Sequence, residues 1–291
     1  MILVYQMGKV ASQSWCQAIW NLDPAGEPPA HLHHLAPAPR ARVARILDLP
    51  APYQTIANRV MPRHQQRNGA AILAQIEACR GRGETIRVVT GIRDPLPRSI
   101  SSLLFLADFY DHTSRPLSAR NGATPAYMSD ALREIWASVF TDAEPECSFE
   151  WVARDGIGLY RTWFADELET VFGVDVFSVP FPAGGGAQRL NTPGVEVLVY
   201  RVEDMAATSP AHGELLAAAS AFLGAPVTVF PETNTVAARR SHPLSDYLRA
   251  NFRLPADLIE TIYDDPTIRH FYSPGEIAAF KARWREGAAG A

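Results

Sequence analysis

Ile2, Leu3, Val4 and Tyr5 form a short apolar run that ends in a turn with a glycine and a lysine. Ser14 to Leu22 then follows a helical pattern, so a buried strand over 2–6 feeds a helix over 13–22. The segment PPAHLHHLAP reads as a short strand end and loop, and helical stretches follow around Arg40 to Leu47 and Ala70 to Cys79. In TIRVVTGIRDP the apolar core of Ile86, Val88, Val89 and Ile92 is nearly continuous, the mark of a strand covered on both faces. Pro95 opens a helix whose apolar positions Leu96, Ile100, Leu103, Leu104 and Ala107 keep helical spacing. Strand, helix, strand, helix predicts an α/β fold: a parallel sheet with right-handed crossovers, flanked by helices.

The middle of the chain is less regular. Residues 111–124 are polar and turn-rich and read as a loop or lid. Helices are expected over 125–140 and 158–172, the second capped by Gly173. VDVFSVPF and VEVLVYRVEDM read as strands, with the glycines at 184–186 as a hairpin-like loop between them. From Ser241 to Arg285 the pattern is helical in three pieces broken by Pro255, Pro266 and Pro274. No repeat or low-complexity linker interrupts the chain. One domain over 1–291 is therefore expected, with a lid or insertion at 111–145 and a helical C-terminal extension over 241–287.

Composition narrows the chemistry. A net charge of -4 offers no global attraction to nucleic acid, so an anionic ligand needs a local cluster. Cys16, Cys79 and Cys147 are too few and too scattered for a disulfide framework or a zinc site, which implies reduced thiols and no metal. No run approaches the roughly 20 apolar residues of a membrane span, and the N-terminus lacks the pattern of a signal peptide. A cytoplasmic protein without a membrane span or a nucleic-acid partner is expected.

The turn from Gly8 to Ser14 joins a strand to a helix N-terminus, where unpaired N–H groups and the macrodipole favour an anion. Of the 27 basic residues only Lys9 and Lys281 are lysines, and one of them stands in this turn. The plainer reading is an ordinary turn with a solvated lysine. A second anion site follows from Arg93, at the carboxyl end of its strand, and Ser101, eight residues on in the next helix. Two separated sites of this kind suit a nucleotide phosphorylated at both ends of its ribose.

With these motifs in view, the chain resembles the sulfotransferases that use 3'-phosphoadenosine 5'-phosphosulfate (PAPS). GKVASQSW looks like their 5'-phosphosulfate loop, and RDPLPRSIS resembles their 3'-phosphate motif. YRVEDM, FPETNT and IYDDPTIRHFYSPGEIAAFKARW are similar to the bacterial branch described as capsular polysaccharide synthesis proteins. The resemblance implies a P-loop-like sheet, PAPS as sulfuryl donor and a hydroxyl acceptor, above all a carbohydrate. It implies cofactor contacts from Gly8, Lys9, Val10, Ala11, Ser12, Gln13, Ser14, Arg93 and Ser101. The loop departs from the family in having Ala11 where many relatives have Gly, and Gln13 where many have Thr. Backbone donors, with the hydroxyls of Ser12 and Ser14, then carry more of the role.

Lys9 is the candidate for stabilising the leaving oxygen, and His33, with His31 in reserve, is the candidate base. Alternation along HLHHL turns His31 and His33 to one face and His34 to the other. All three histidines also admit a packing or hydrogen-bonding role. Glu203 and Asp204 read as helix caps and Asp166 as a solvated helix position. Arg98 reads equally as a further phosphate contact or a surface residue. Two other classes stay open: a nucleotide-binding regulatory protein without turnover, and a P-loop kinase or NTPase. The kinase reading fits less well, because the GxxxxGK[ST] pattern meets Leu3 and Val10 at two required positions.

Overall fold

A computed structural model describes residues 1–47, 56–111, 124–141, 156–233 and 242–286. Residues 112–123 of the expected lid at 111–124, and all of 142–155 with Cys147, therefore lie outside the described residues. The chain gathers into two compact units, each discontinuous in sequence. The first comprises Met1–Ala44, Arg63–Arg93 and Thr162–Asn234; the second comprises Arg45–Pro62, Asp94–Arg161 and Thr235–Ala291.

The first unit carries a five-stranded, mostly parallel sheet. Its strands are β1 (Ile2–Tyr5), β2 (Ala30–Leu32), β3 (Ile86–Ile92), β4 (Ala187–Thr192) and β5 (Val195–Arg201), in the order β2-β1-β3-β5-β4. Parallel pairing joins β2 to β1, β1 to β3 and β3 to β5, and β4 closes the edge antiparallel to β5. The register sets Val4 beside Val89, and Val89 beside Leu198. These residues and Tyr200 form one face, covered by Trp15, Ala18 and Ile19 of α1 (Ser12–Leu22), and by Leu215, Ala219 and Phe222. Burying each large apolar side chain there is worth about 1.5–3 kcal/mol. Tyr5 points to the other face, against Trp163 and Phe172. Helices α2 (Pro37–Leu47) and α3 (Ile56–Gly81) stand between β2 and β3, and α3 extends well before the expected Ala70.

Three expectations fail in this unit. VDVFSVPF forms no strand: Asp175 accepts a hydrogen bond from the backbone N–H of Phe177 and turns Val176–Ser178 into a 3-10 turn. The hairpin turn before β5 is made by Pro193 and Gly194, whose φ of 77° suits glycine. The glycines at 184–186 instead fold over a buried ion pair. Arg201 grips Asp204 through Nε at 2.7 Å and Nη2 at 2.8 Å, and the N–H of Gly186 donates to Asp204 at 3.0 Å. Gly185 has φ 85°, and a Cβ there would run into Arg201 and Asp204. Asp204 thus ties a loop to a strand end and caps no helix.

The stretch over 158–172 departs from a regular helix. It runs through a 3-10 turn (Leu159–Arg161), then six π-helical residues (Phe164–Glu169), then Thr170–Phe172 with Gly173 as a left-handed cap at φ 67°. The later part of the first unit ends with α6 (His212–Leu223).

In the second unit, α4 (Pro95–Asp111) packs with α5 (Pro125–Val139) and α7 (His242–Asn251). Asp94 is buried before the first turn of α4. It accepts from the N–H of Leu96 at 3.1 Å, from the Tyr263 hydroxyl at 2.7 Å and from Trp284 Nε1 at 3.4 Å. Arg98 is buried too, donating to the carbonyls of Ile157 at 3.1 Å and Gly156 at 2.6 Å, which corrects its reading as a phosphate contact or surface residue. The C-terminal extension contains four helices rather than three pieces among the described residues: α7, α8 (Ala256–Tyr263), α9 (Pro266–Phe271) and α10 (Pro274–Trp284). Pro266 and Pro274 occupy first helical turns, and Ser273 with Glu276 makes a capping box. No helix among the described residues is long and apolar enough to cross a membrane.

Candidate functional site

In the first unit β1 lies between β2 and β3, so connections leave it in opposite directions. Beyond the carboxyl ends of β1 and β3 such a reversal opens a crevice, the usual ligand position in open α/β sheets. Three adjacent strand ends lead into their loops there. The Lys9 turn follows β1, Arg93 follows β3, and His33 follows β2.

From Gly8 to Ala11 the φ angle alternates in sign. Lys9 at 69° and Ala11 at 61° are the only described residues other than glycine with positive φ, whereas Gly8 and Val10 are not positive. Alternation of this kind turns successive N–H groups toward one side, the arrangement of an anion-binding nest. Among the described residues nothing accepts from the N–H groups of Val10, Ala11, Ser12 or Gln13. Left-handed backbone costs a residue with a Cβ about 1–2 kcal/mol, so the surroundings must hold the turn.

The holding groups come from buried side chains. The Val10 carbonyl accepts from Gln6 Nε2 at 3.4 Å and from the Tyr200 hydroxyl, which also lies 2.8 Å from Gln6 Oε1. Burial pushes the Tyr200 phenol well above its ordinary pKa, so it keeps its proton and donates. Gly91 makes this possible: a Cβ there would meet the Tyr200 ring at 2.5 Å. Arg93 Nη1 donates to the Lys9 carbonyl at 3.4 Å, fastening the turn to the end of β3. Of the expected cofactor residues, Val10 is buried and can offer only its backbone. The Ser14 hydroxyl lies 3.2 Å from that of Thr233. Ser101 stands half-buried on α4 in the second unit.

His31 and His33 share a face, their rings edge to face at 4.8 Å. His33 Nδ1 lies 2.7 Å from the Gln6 carbonyl, which can only accept, so Nδ1 carries the proton and Nε2 the lone pair. Burial, the neighbouring His31 and, more weakly, Lys9 push the His33 pKa down to about 3, against the pull of the Gln6 carbonyl. The ring is therefore neutral across the physiological range, rather than titrating near its ordinary value.

The sequence reading missed Glu167. This carboxylate is wholly buried, and His34 Nδ1 approaches its Oε1 at 2.9 Å. Its Oε2 accepts from the N–H groups of Leu35 at 3.0 Å and Ala36 at 2.8 Å, and from the Tyr5 hydroxyl. Trp163 Nε1 donates to the His33 carbonyl at 3.0 Å. Trp163 and Glu167, both from the irregular helix, thus grip the turn that carries His33. Such π-helical turns recur where a side chain is re-aimed at a functional site. With Asp166 and Glu169 beside it, no signal in the sequence singled out this glutamate.

Comparisons with protein-family models, with curated proteins and with solved structures return no match to this chain.

Proposed function

We infer that the protein is a sulfotransferase that moves the sulfuryl group of PAPS to an acceptor hydroxyl, on a carbohydrate. The observation that carries this is the succession of His33, the Lys9 turn and Arg93 at three neighbouring strand ends. A base, an anion nest with a mobile cation, and a guanidinium are the groups this transfer calls for.

The N–H groups from Val10 to Gln13 and the Lys9 ammonium would hold the 5'-phosphosulfate, in a P-loop-like manner and without a metal. Arg93 would take the 3'-phosphate. The acceptor oxygen then attacks sulfur as the bond from sulfur to the bridging phosphate oxygen breaks. The hydroxyl proton passes to His33 Nε2, and the electron pair stays on the departing oxygen, where Lys9 offsets its charge. A pKa of about 3 belongs to the site without its anionic donor. Negative charge brought beside Lys9 favours the imidazolium and raises His33 basicity when the substrate arrives. A cytoplasmic setting is part of this reading.

Incubation with sulfur-35-labelled PAPS and a panel of carbohydrate, phenolic and lipid hydroxyl acceptors tests it. Label transferred to a carbohydrate supports the inference. Adenosine 3',5'-bisphosphate binding without transfer to any acceptor would instead favour a regulatory nucleotide-binding role.

A further inference from the structure

After α6 the chain runs without regular structure over 225–233, yet side chains pin it to the rest of the first unit at three points. Ser220 Oγ accepts from the N–H of Val227 at 2.9 Å, and the buried Phe230 ring meets Trp15 at 4.7 Å. Trp15 in turn meets Tyr200 at 5.0 Å, the residue whose hydroxyl holds the Val10 carbonyl. The third point is polar. The hydroxyls of Thr233 and Ser14 lie 3.2 Å apart, joining groups separated by 219 positions in the chain.

Ser14 stands in the first turn of α1, directly after the Lys9 turn, and is only 9% exposed. Two hydroxyls carry two protons, and the bond between them uses one. Among the described residues neither hydroxyl makes another hydrogen bond, so one proton is left to donate beside the N–H groups of Val10 to Gln13. A buried donor without an acceptor is costly, and an arriving ligand can supply the acceptor. The segment brings no buried carboxylate that would repel an anion, since Glu232 is exposed.

We propose that Thr233 is a positioning residue for the 5' end of the donor: it donates to Ser14 Oγ and so turns the Ser14 proton onto an oxygen of the 5'-phosphate. A hydroxyl that accepts a hydrogen bond is polarised into a better donor, so the relay strengthens the contact it aims. The assignment rests on the sulfuryl-transfer reading and adds to the Lys9 turn a residue from a distant part of the chain.

Calorimetric titration with adenosine 3',5'-bisphosphate and with adenosine 3'-monophosphate, which lacks the 5'-phosphate, tests it. Thr233→Val keeps nearly the same shape without the hydroxyl. Affinity for the bisphosphate should fall about three- to tenfold, whereas affinity for the monophosphate should not change. Thr233→Ser should keep the parent values. In a Ser14→Ala background Thr233→Val should cause no further loss, because the contact it aims is already gone. Unchanged bisphosphate affinity in Thr233→Val, an equal fall for both nucleotides, or a loss that persists in the Ser14→Ala background overturns the relay. Transfer from labelled PAPS separates this result from the transferase reading. Thr233-dependent bisphosphate affinity without sulfation of any acceptor leaves the relay standing and removes the transferase. Sulfation by a parent whose Thr233→Val variant binds bisphosphate equally well removes the relay alone, and no bisphosphate binding by the parent removes both.

Discussion

Arg93, at the end of β3, donates through Nη1 to the backbone carbonyl of Lys9 at 3.4 Å. Lys9 is itself held in left-handed backbone at φ 69°. The guanidinium is thus fastened to the turn after the neighbouring strand, with its remaining donors available to a ligand, and the two strand ends form one unit of geometry.

Arg93→Ala should therefore have two effects. Calorimetry should show preference for adenosine 3',5'-bisphosphate over AMP falling from about tenfold or more toward one, because a charge-assisted hydrogen bond is worth about 1.5–3 kcal/mol. Affinity for both nucleotides should also fall a little as the turn loses a support.

Lys9 combines a charge with a backbone demand, and two variants separate them. On the proposed mechanism, in which its charge acts mainly on the leaving oxygen, Lys9→Ala should lower kcat more than it weakens bisphosphate binding. Lys9→Gly removes the same charge but relaxes the left-handed turn, so its urea midpoint should exceed that of Lys9→Ala. Unchanged kcat with a raised KM for PAPS would make Lys9 a ground-state clamp.

His33→Ala should remove roughly two to four orders of magnitude of turnover while leaving bisphosphate binding intact. With its pKa at about 3 in the folded protein and 6.5 ordinarily, His33 binds a proton more readily in the unfolded chain between those values. Its contribution to stability is present above pH 6.5 and is lost as the pH falls toward 3. Urea midpoints should thus decline less steeply over that window in His33→Ala than in the parent. An acidic limb in kcat/KM centred near 6.5 would contradict the depressed value.

Glu167→Gln leaves the shape but removes the charge that Leu35, Ala36, His34 and Tyr5 address. Urea unfolding should show a loss of about 2–3 kcal/mol. Turnover should fall further than bisphosphate affinity, because the carboxylate orients the His33 turn and not the turn from Gly8 to Ala11. Tyr5→Phe should cost only about 1 kcal/mol.

Gly91→Ala tests the route from the sheet to the nest. Its Cβ would press on the Tyr200 ring at 2.5 Å, and a conflict of that kind costs about 1–3 kcal/mol. Displacement of Tyr200 removes a donor from the Val10 carbonyl, so bisphosphate affinity should fall along with the melting temperature.

What the sequence determined by itself was local. The apolar run before Gly8, the doubly covered strand before Arg93, and the shared face of His31 and His33 all follow from periods of two and 3.6 residues and from turn chemistry. These forces act between near neighbours, so a single stretch suffices to read them. The tertiary structure decided the rest. Glu167 meets Leu35, Ala36 and Tyr5 across more than a hundred residues of chain, and no spacing announces which buried carboxylate will find which donors. The glycines at 184–186 looked like a hairpin loop because turn propensity is local, whereas the Arg201–Asp204 pair that claims them forms only after β5 is in place. The His33 pKa is likewise tertiary, because desolvation sums over everything packed around a ring. Residue types could nominate a base and an anion turn, but only burial and long-range hydrogen bonding set their charge state and aim.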